Sequence, residues 1–350
     1  MVKRVNDFLL KEILEQPTII NNFFQEKNKL VSDICNSVRG QFDYVVIAAR
    51  GTSDNAARYA QYLLGSFNNI QIALATPSLF TIYKLPPYIK KALVIGISQS
   101  GQSPDIVSVL QTAQKQGAKT LAITNDKDSP LSNSANYVIP LDAGQEKSVA
   151  ATKTYSASLA ALALFSTHLE NDNKGRINEL QALPDKLSET IDITLRSIDQ
   201  TNRYRYMEHC VVLGRGFNYA TAFEIALKVK ELTRVITVPD SSADFSHGPI
   251  ATVNNGFPII VIAPSGKMFD HIFSFSKELI NLGAELICIS DKKELLDLGV
   301  TKFKISSDVP EWLSPINALI PGQLFARQLA KEKGFDIDKP EGLSKVTETF

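Results

Sequence analysis

Apolar residues in this chain cluster in short unbroken runs, each followed by a turn rich in small or polar residues and often by a stretch with helical spacing. Tyr44-Val45-Val46-Ile47-Ala48-Ala49 leads through Arg50-Gly51-Thr52-Ser53 into an alanine-rich helix over 54–64. Gln71-Ile72-Ala73-Leu74-Ala75 is a second run. Residues 92–97 form a third, which passes into Ser98-Gln99-Ser100-Gly101-Gln102-Ser103 and a helix over 105–116 that ends at Gly117. Lys119-Thr120-Leu121-Ala122-Ile123-Thr124 and Val138-Ile139-Pro140-Leu141 follow. Runs without alternation are strands covered on both faces, and strands alternating with helices of this length predict a parallel, doubly wound α/β sheet. Ahead of them, Phe8, Leu9, Ile13, Leu14, Phe23, Phe24 and Leu30 give residues 5–36 a helical pattern. Pro17 interrupts it, so two helices or a kinked one are expected there.

The same order recurs in the second half. Val211-Val212-Leu213-Gly214-Arg215-Gly216 repeats the run into Gly51, Ile260-Val261-Ile262-Ala263-Pro264-Ser265-Gly266 repeats the run into Gly101, and Gly283 to Ser290 repeats Gly117 to Thr124. Val211 against Val45, Gly266 against Gly101 and Gly283 against Gly117 lie 166, 165 and 166 residues apart. A near-constant spacing predicts two similar α/β subdomains. The expected boundaries are an N-terminal helical segment over 1–36, a first domain over 37–170, a helical linker over 171–202, a second domain over 203–332 and a tail over 333–350.

The two halves differ in chemistry at their central turns. Ser98, Ser100 and Ser103 stand at the first, where a helix N-terminus offers unpaired N–H groups and a positive dipole end. Hydroxyl donors and a glycine there make a receptor for a phosphate dianion, although serine is also a common helix cap. The second turn keeps only Ser265. One half is therefore expected to hold phosphate and the other to supply scaffold and catalytic groups.

Composition narrows the remaining choices. The 350 residues, 44% of them hydrophobic, suffice for a large core, and 37 basic side chains balance 37 acidic ones, so no nucleic-acid partner is expected. Cys35, Cys210 and Cys288 are isolated, which favours a reducing compartment and no disulfides. No apolar run approaches the roughly 20 residues of a membrane span, so a cytoplasmic protein without membrane association is expected. Gly214-Arg215-Gly216-Phe217-Asn218-Tyr219 lacks the third glycine of a dinucleotide fingerprint, no P-loop is present, and four histidines show no metal spacing. No cofactor and no metal site are expected.

Other stretches carry a resemblance. Glu12-Ile13-Leu14-Glu15-Gln16-Pro17, Gly51-Thr52-Ser53, Ser98-Gln99-Ser100-Gly101, Ala150-Ala151-Thr152-Lys153, Ala226-Leu227-Lys228-Val229-Lys230-Glu231, His247-Gly248-Pro249, Asp338-Lys339-Pro340 and Leu343-Ser344-Lys345-Val346-Thr347 occur in order over nearly the whole chain. They resemble the sugar isomerase (SIS) family, in its double-SIS branch that includes the isomerase domain of glucosamine-6-phosphate synthase. Arg50, Gln102-Ser103-Pro104-Asp105, Glu146 to Lys153, Ser241-Ser242-Ala243-Asp244-Phe245 and the ending Lys345 to Phe350 look closer to the stand-alone deaminases of that branch. The synthase also needs a glutaminase domain with an N-terminal cysteine. Here residue 2 is Val and the repeat begins near residue 42, so a free isomerase unit is expected.

The resemblance implies two tandem doubly wound parallel-sheet SIS subdomains, flavodoxin-like and three-layered, with a helical N-terminus and a C-terminal tail closing the site. It implies a phosphosugar substrate bound by Arg50, Gly51, Thr52, Ser53, Ser98, Gln99, Ser100, Ser103, Ala150 and Ala151. Arg50, a cysteine in the synthase, contacts phosphate or pairs with a surface carboxylate. Glu231 is implied to move the proton between C1 and C2, a task one poised carboxylate can perform; a plain ion pair with Lys228 is the alternative. His247 is implied to open the sugar ring from the neighbouring subunit, making a homodimer with its site at the interface. Lys228 and Lys345 are implied to support the open-chain intermediate. Ala151 replaces a sugar-contacting serine of the synthase, Val238-Pro239 replace a Glu-Ala pair in the loop before His247, and Asp244 shortens a glutamate. The implied activity is the conversion of D-glucosamine 6-phosphate and water to D-fructose 6-phosphate and ammonia. The alternatives are a fructosamine- or glucoselysine-6-phosphate deglycase, another amino sugar phosphate isomerase, and, without turnover, a phosphosugar-sensing regulator.

Overall fold

The apolar runs pair into two separate parallel sheets. In the computed structural model, which describes residues 7–170 and 173–345, the first sheet holds β1 (Tyr44–Ala48), β2 (Ile72–Leu74), β3 (Ala92–Ser98), β4 (Lys119–Thr124) and β5 (Tyr137–Pro140) in the order β2-β1-β3-β4-β5. The second holds β6 (His209–Gly214), β7 (Ile236–Ser241), β8 (Pro258–Ile262), β9 (Glu285–Ser290) and β10 (Thr301–Lys304) in the order β10-β9-β8-β6-β7. Read from its own first strand, each has the flavodoxin-like order 2-1-3-4-5, so the duplication and the doubly wound fold are both present. The direction in which successive strands are added reverses between the parallel neighbours β1 and β3 in one sheet and β6 and β8 in the other. Parallel sheets open a crevice at that switch point, outside the carboxyl ends of the strands.

The long helices are α1 (Phe8–Val38), α2 (Thr52–Asn68), α3 (Pro104–Lys115), α4 (Lys153–Leu169), α5 (Lys174–Ser197), α6 (Tyr219–Thr233), α7 (Phe269–Asn281) and α8 (Ser314–Lys333). They divide between two compact units that interleave in sequence. The first unit comprises residues 18–146, 153–181 and the chain after 343; the second comprises the chain up to 17, residues 147–152 and 182–343. Positions 1–6, 171–172 and 346–350, including the tail motif beyond Lys345, lie outside the described residues.

In the first unit, β3 is buried at every position and packs with Ile106, Val109 and Leu110 of α3. Helix α4 is buried along residues 153–167 and packs on α2, as its nearly continuous apolar character requires. In the second unit, Val211, Leu213, Ile259 and Val261 pack against Ile272, Phe275 and Leu279 of α7. All three cysteines are buried, and burial pushes their thiols up to about 12.

Of the two courses expected at Pro17, division into two helices is not observed: α1 is one helix with Pro17 inside it. Pro17 cannot donate to the Ile13 carbonyl, but the Gln16 side-chain amide donates to that same oxygen at 3.2 Å, replacing the bond that proline removes. Val238 and Pro239 lie in β7 rather than in a loop. Because β7 is an edge strand pairing only with β6, it tolerates the proline.

Helices α6 and α8 approach closely at Gly322, where an added Cβ would lie 2.3 Å from the Ile225 side chain. Gly322→Ala should destabilise the protein by about 1–3 kcal/mol through overpacking, read from the urea midpoint. Adding Ile225→Ala should recover part of that loss.

Candidate active site

The first unit places the predicted phosphate residues on both sides of its switch point. Arg50-Gly51-Thr52-Ser53 joins β1 to α2, and Ser98 to Ser103 joins the adjacent β3 to α3. Ser98 Oγ accepts from the Gly101 N–H at 3.1 Å, and Ser100 Oγ accepts from the Gln102 N–H at 3.3 Å, which curls the turn. Gly101 has φ +61°, and a Cβ there would fall 2.1 Å from Ser129 Oγ, so glycine alone fits. Ser103 occupies the cap position of α3, yet its side chain makes no capping bond. The hydroxyl is therefore not spent on the helix.

Arg50 follows neither of its two expected courses completely. Its Nε donates to Asp105 Oδ2 at 2.8 Å, and Asp105 is a buried carboxylate in the first turn of α3, not a surface one. This bond fixes the half-exposed guanidinium beside the serine turn, and among the described residues only Nε is engaged. The terminal nitrogens retain the donor pair that suits a phosphate.

At the matching crevice of the second unit, the protein supplies its own anions. With the 165-residue spacing, Ala263 and Met268 replace Ser98 and Ser103. The Glu311 carboxylate accepts the N–H groups of Lys267 at 2.9 Å and Met268 at 3.2 Å. The Asp291 carboxylate accepts the Ser265 N–H at 2.7 Å and also its hydroxyl. A Cβ on Gly266 would lie 2.3 Å from the Glu311 carboxyl carbon, so that carboxylate sits directly on the turn. The donors that hold an anion in such a site are already occupied.

The second unit carries the candidate acid–base group on α6. Lys228 is 1% exposed and lies between Glu224, 0% exposed and 3.5 Å away, and Glu231, 25% exposed and 2.5 Å away. The helical ion pair of Lys228 with Glu231 is thus present, extended by Glu224, as a buried ammonium requires such partners. Glu231 is the member with appreciable solvent access. Exposed His247 follows the short helix Ser242–Ser246 and lines a cleft of about 460 Å³ with Arg215, Ser242, Ser246, Asp270 and His271. Lys228 and Glu231 are not among the residues lining it.

Ala150 and Ala151 lie in the 147–152 segment of the second unit. Glu12 accepts the N–H groups of Lys147 and Ser148, while the Asp338 carbonyl accepts that of Val149 at 3.1 Å. Asp338 in turn caps α1 by accepting the Phe8 and Leu9 N–H groups at 2.9 and 3.0 Å. Arg327 closes this clasp on Asp7. Burial pushes the Asp7 carboxyl up, but hydrogen bonds from Arg327 and Leu10 and the guanidinium charge outweigh it and hold the group below its usual range. In the first unit, Lys345 donates to the buried Glu146 at 2.9 Å.

The chain belongs to the SIS domain family, whose model matches residues 43–167 and 205–295. It is 33% identical over 349 residues to a glutamine–fructose-6-phosphate aminotransferase (isomerizing) of Thermococcus kodakarensis, covering 97% of this chain and 57% of that relative. The chain thus spans little more than half the length of such relatives. Among solved structures, the C-terminal domain of the Francisella tularensis glucosamine-fructose-6-phosphate aminotransferase superposes with a TM-score of 0.87 at 26% identity, over 97% of this chain and all of that one. A Thermotoga maritima glucosamine-6-phosphate deaminase shares the fold, with a TM-score of 0.79 at 22% identity over 98% and 100% of the two chains. Among the described residues no helix is long and apolar enough to cross a membrane, and no three His, Cys, Asp or Glu residues gather to hold a metal.

Four carboxylates escaped the sequence reading. Glu224 could have been found four residues before Lys228, at helical spacing. Glu146, Asp291 and Glu311 meet their partners only through the fold. Removing one member of a buried charge pair costs about 3–5 kcal/mol. Lys228→Met should therefore lower unfolding stability by about 3 kcal/mol, whereas Glu231→Gln at the more exposed end should cost less than about 1 kcal/mol. Chemical denaturation of the two variants checks the difference.

Proposed function

We propose that this protein is an amino sugar phosphate isomerase that releases ammonia, converting D-glucosamine 6-phosphate and water to D-fructose 6-phosphate. The observation that carries the reading is the Glu224–Lys228–Glu231 array, in which two buried charges hold a third, accessible carboxylate in place. The first-unit turn, with its unspent Ser103 hydroxyl and oriented Arg50, supports the 6-phosphate as anchor. The activity named for the aminotransferase relatives agrees with an amino sugar phosphate.

His247, contributed across a homodimer interface, removes the proton from O1 and delivers one to O5 as the ring opens. Glu231 takes the C2 proton as O1 gains one from solvent, giving an enolamine, and returns its proton at C1 as the nitrogen gives one up to solvent, leaving an imine at C2. Lys228 and Lys345 stabilise the charge that gathers on the sugar oxygen during this transfer. Water adds at C2 and ammonia leaves. Ala150 and Ala151 line the sugar, together with Gly51, Thr52, Ser53, Ser98, Gln99 and Ser100 around the phosphate.

The test is release of ammonia and fructose 6-phosphate from glucosamine 6-phosphate by purified protein. Glu231→Gln should reduce turnover by about 10²–10⁴-fold while phosphosugar binding persists. Turnover of a fructosamine 6-phosphate with none of glucosamine 6-phosphate would reassign the chain as a deglycase.

A further inference from the structure

We propose that Glu146 is a positioning residue for this reaction, holding the Lys345 ammonium where the open-chain intermediate needs it. The inference rests on the role given to Lys345 above. Lys345 stands near the end of the chain, where a long cationic side chain is ordinarily solvated and mobile. Here its Nζ donates to Glu146 Oε2 at 2.9 Å. Glu146 is buried and cannot drift, because Thr154 at the start of α4 holds both of its oxygens. The Thr154 N–H donates to Oε1 at 3.2 Å, and its hydroxyl donates to Oε2 at 2.8 Å. A helix N-terminus favours a carboxylate at this place, so α4 fixes the anion and the anion fixes the lysine.

The arrangement separates orientation from chemistry. Glu146 needs no contact with substrate; its charge acts through Lys345. An ammonium already confined by a buried carboxylate loses little side-chain freedom when the intermediate forms, which is the advantage of preorganised donors.

The experiment compares steady-state kinetics of wild type, Glu146→Gln, Glu146→Asp, Lys345→Ala and the Glu146→Gln/Lys345→Ala double variant, with thermal melting as a folding control. Glu146→Gln can still accept from Thr154 but lacks the charge. It should lower kcat at least 10-fold while KM stays within about twofold, and Glu146→Asp should recover part of kcat. The double variant should be no slower than Lys345→Ala alone, because the two changes remove one unit. If Glu146→Gln turns over like wild type while Lys345→Ala is slow, the positioning role is overturned and the reading of Lys345 stands. A double variant slowed by the product of the single effects would make Glu146 a helix cap and also overturn it. Wild-type kinetics in Lys345→Ala would overturn the role of Lys345 itself, and the proposal with it.

Discussion

Where a doubly wound parallel sheet reverses direction, backbone N–H groups of neighbouring strand-to-helix turns converge without intrahelical partners. Those donors need an anion, and the two copies of the duplication meet that need differently. In the second unit, Glu311 and Asp291 bind the turn at Ser265 to Met268 permanently. In the first unit, serine hydroxyls shape the turn, Arg50 is oriented by Asp105, and Ser103 leaves its helix uncapped. One crevice is satisfied by folding alone. The other leaves the Ser103 hydroxyl without a capping bond, the feature on which the proposed phosphate site rests.

The second constraint is the burial of Lys228. An ammonium inside a helix bundle is tolerated only with compensating charge, and Glu224 and Glu231 provide it at helical spacings of four and three. The demand is asymmetric, since Glu224 is sealed and Glu231 is not. The lysine consequently restrains a carboxylate that solvent can reach. Stability and acid–base geometry are joined in one helix, α6, against which Gly322 of α8 packs without a side chain.

The strands that build the switch points were legible because burial on both faces leaves an unbroken apolar run; β4 matches its predicted span, Lys119–Thr124. Of the edge strands, β2 and β5 were legible as the runs over 71–75 and 138–141, whereas β7 and β10 were not. In β10 buried Thr301 and Phe303 alternate with exposed lysines, while β7 ends in Pro239, Asp240 and Ser241 and so reads as a loop. Helix α8 was hidden by polar residues such as Asn317, Gln323 and Arg327, which are buried only because partners from distant segments meet them. The continuity of α1 depends on a side-chain bond from Gln16 that no helical period encodes. At the site, residue types and spacings pointed to an anion-binding turn and the family resemblance to Glu231, whereas Glu146, Asp291 and Glu311 meet their partners only through three-dimensional proximity.

The sequence repeats as two successive halves, but the folded units do not divide at the repeat boundary. During synthesis, residues 7–17 emerge long before residues 182–343, with which they pack, and the 147–152 segment also waits for that later chain. Loop-closure entropy rises only slowly with such separations, so the delay is cheap at equilibrium but postpones completion of the second unit until residues 182–343 are made, and the Glu146 pair until Lys345 is. A fragment cut at the repeat boundary would carry the first turns of α1 without Arg327 and Asp338, and Glu146 without Lys345. The ancestral modules have become a single biosynthetic unit, one that circular permutation could reorder but simple division could not separate.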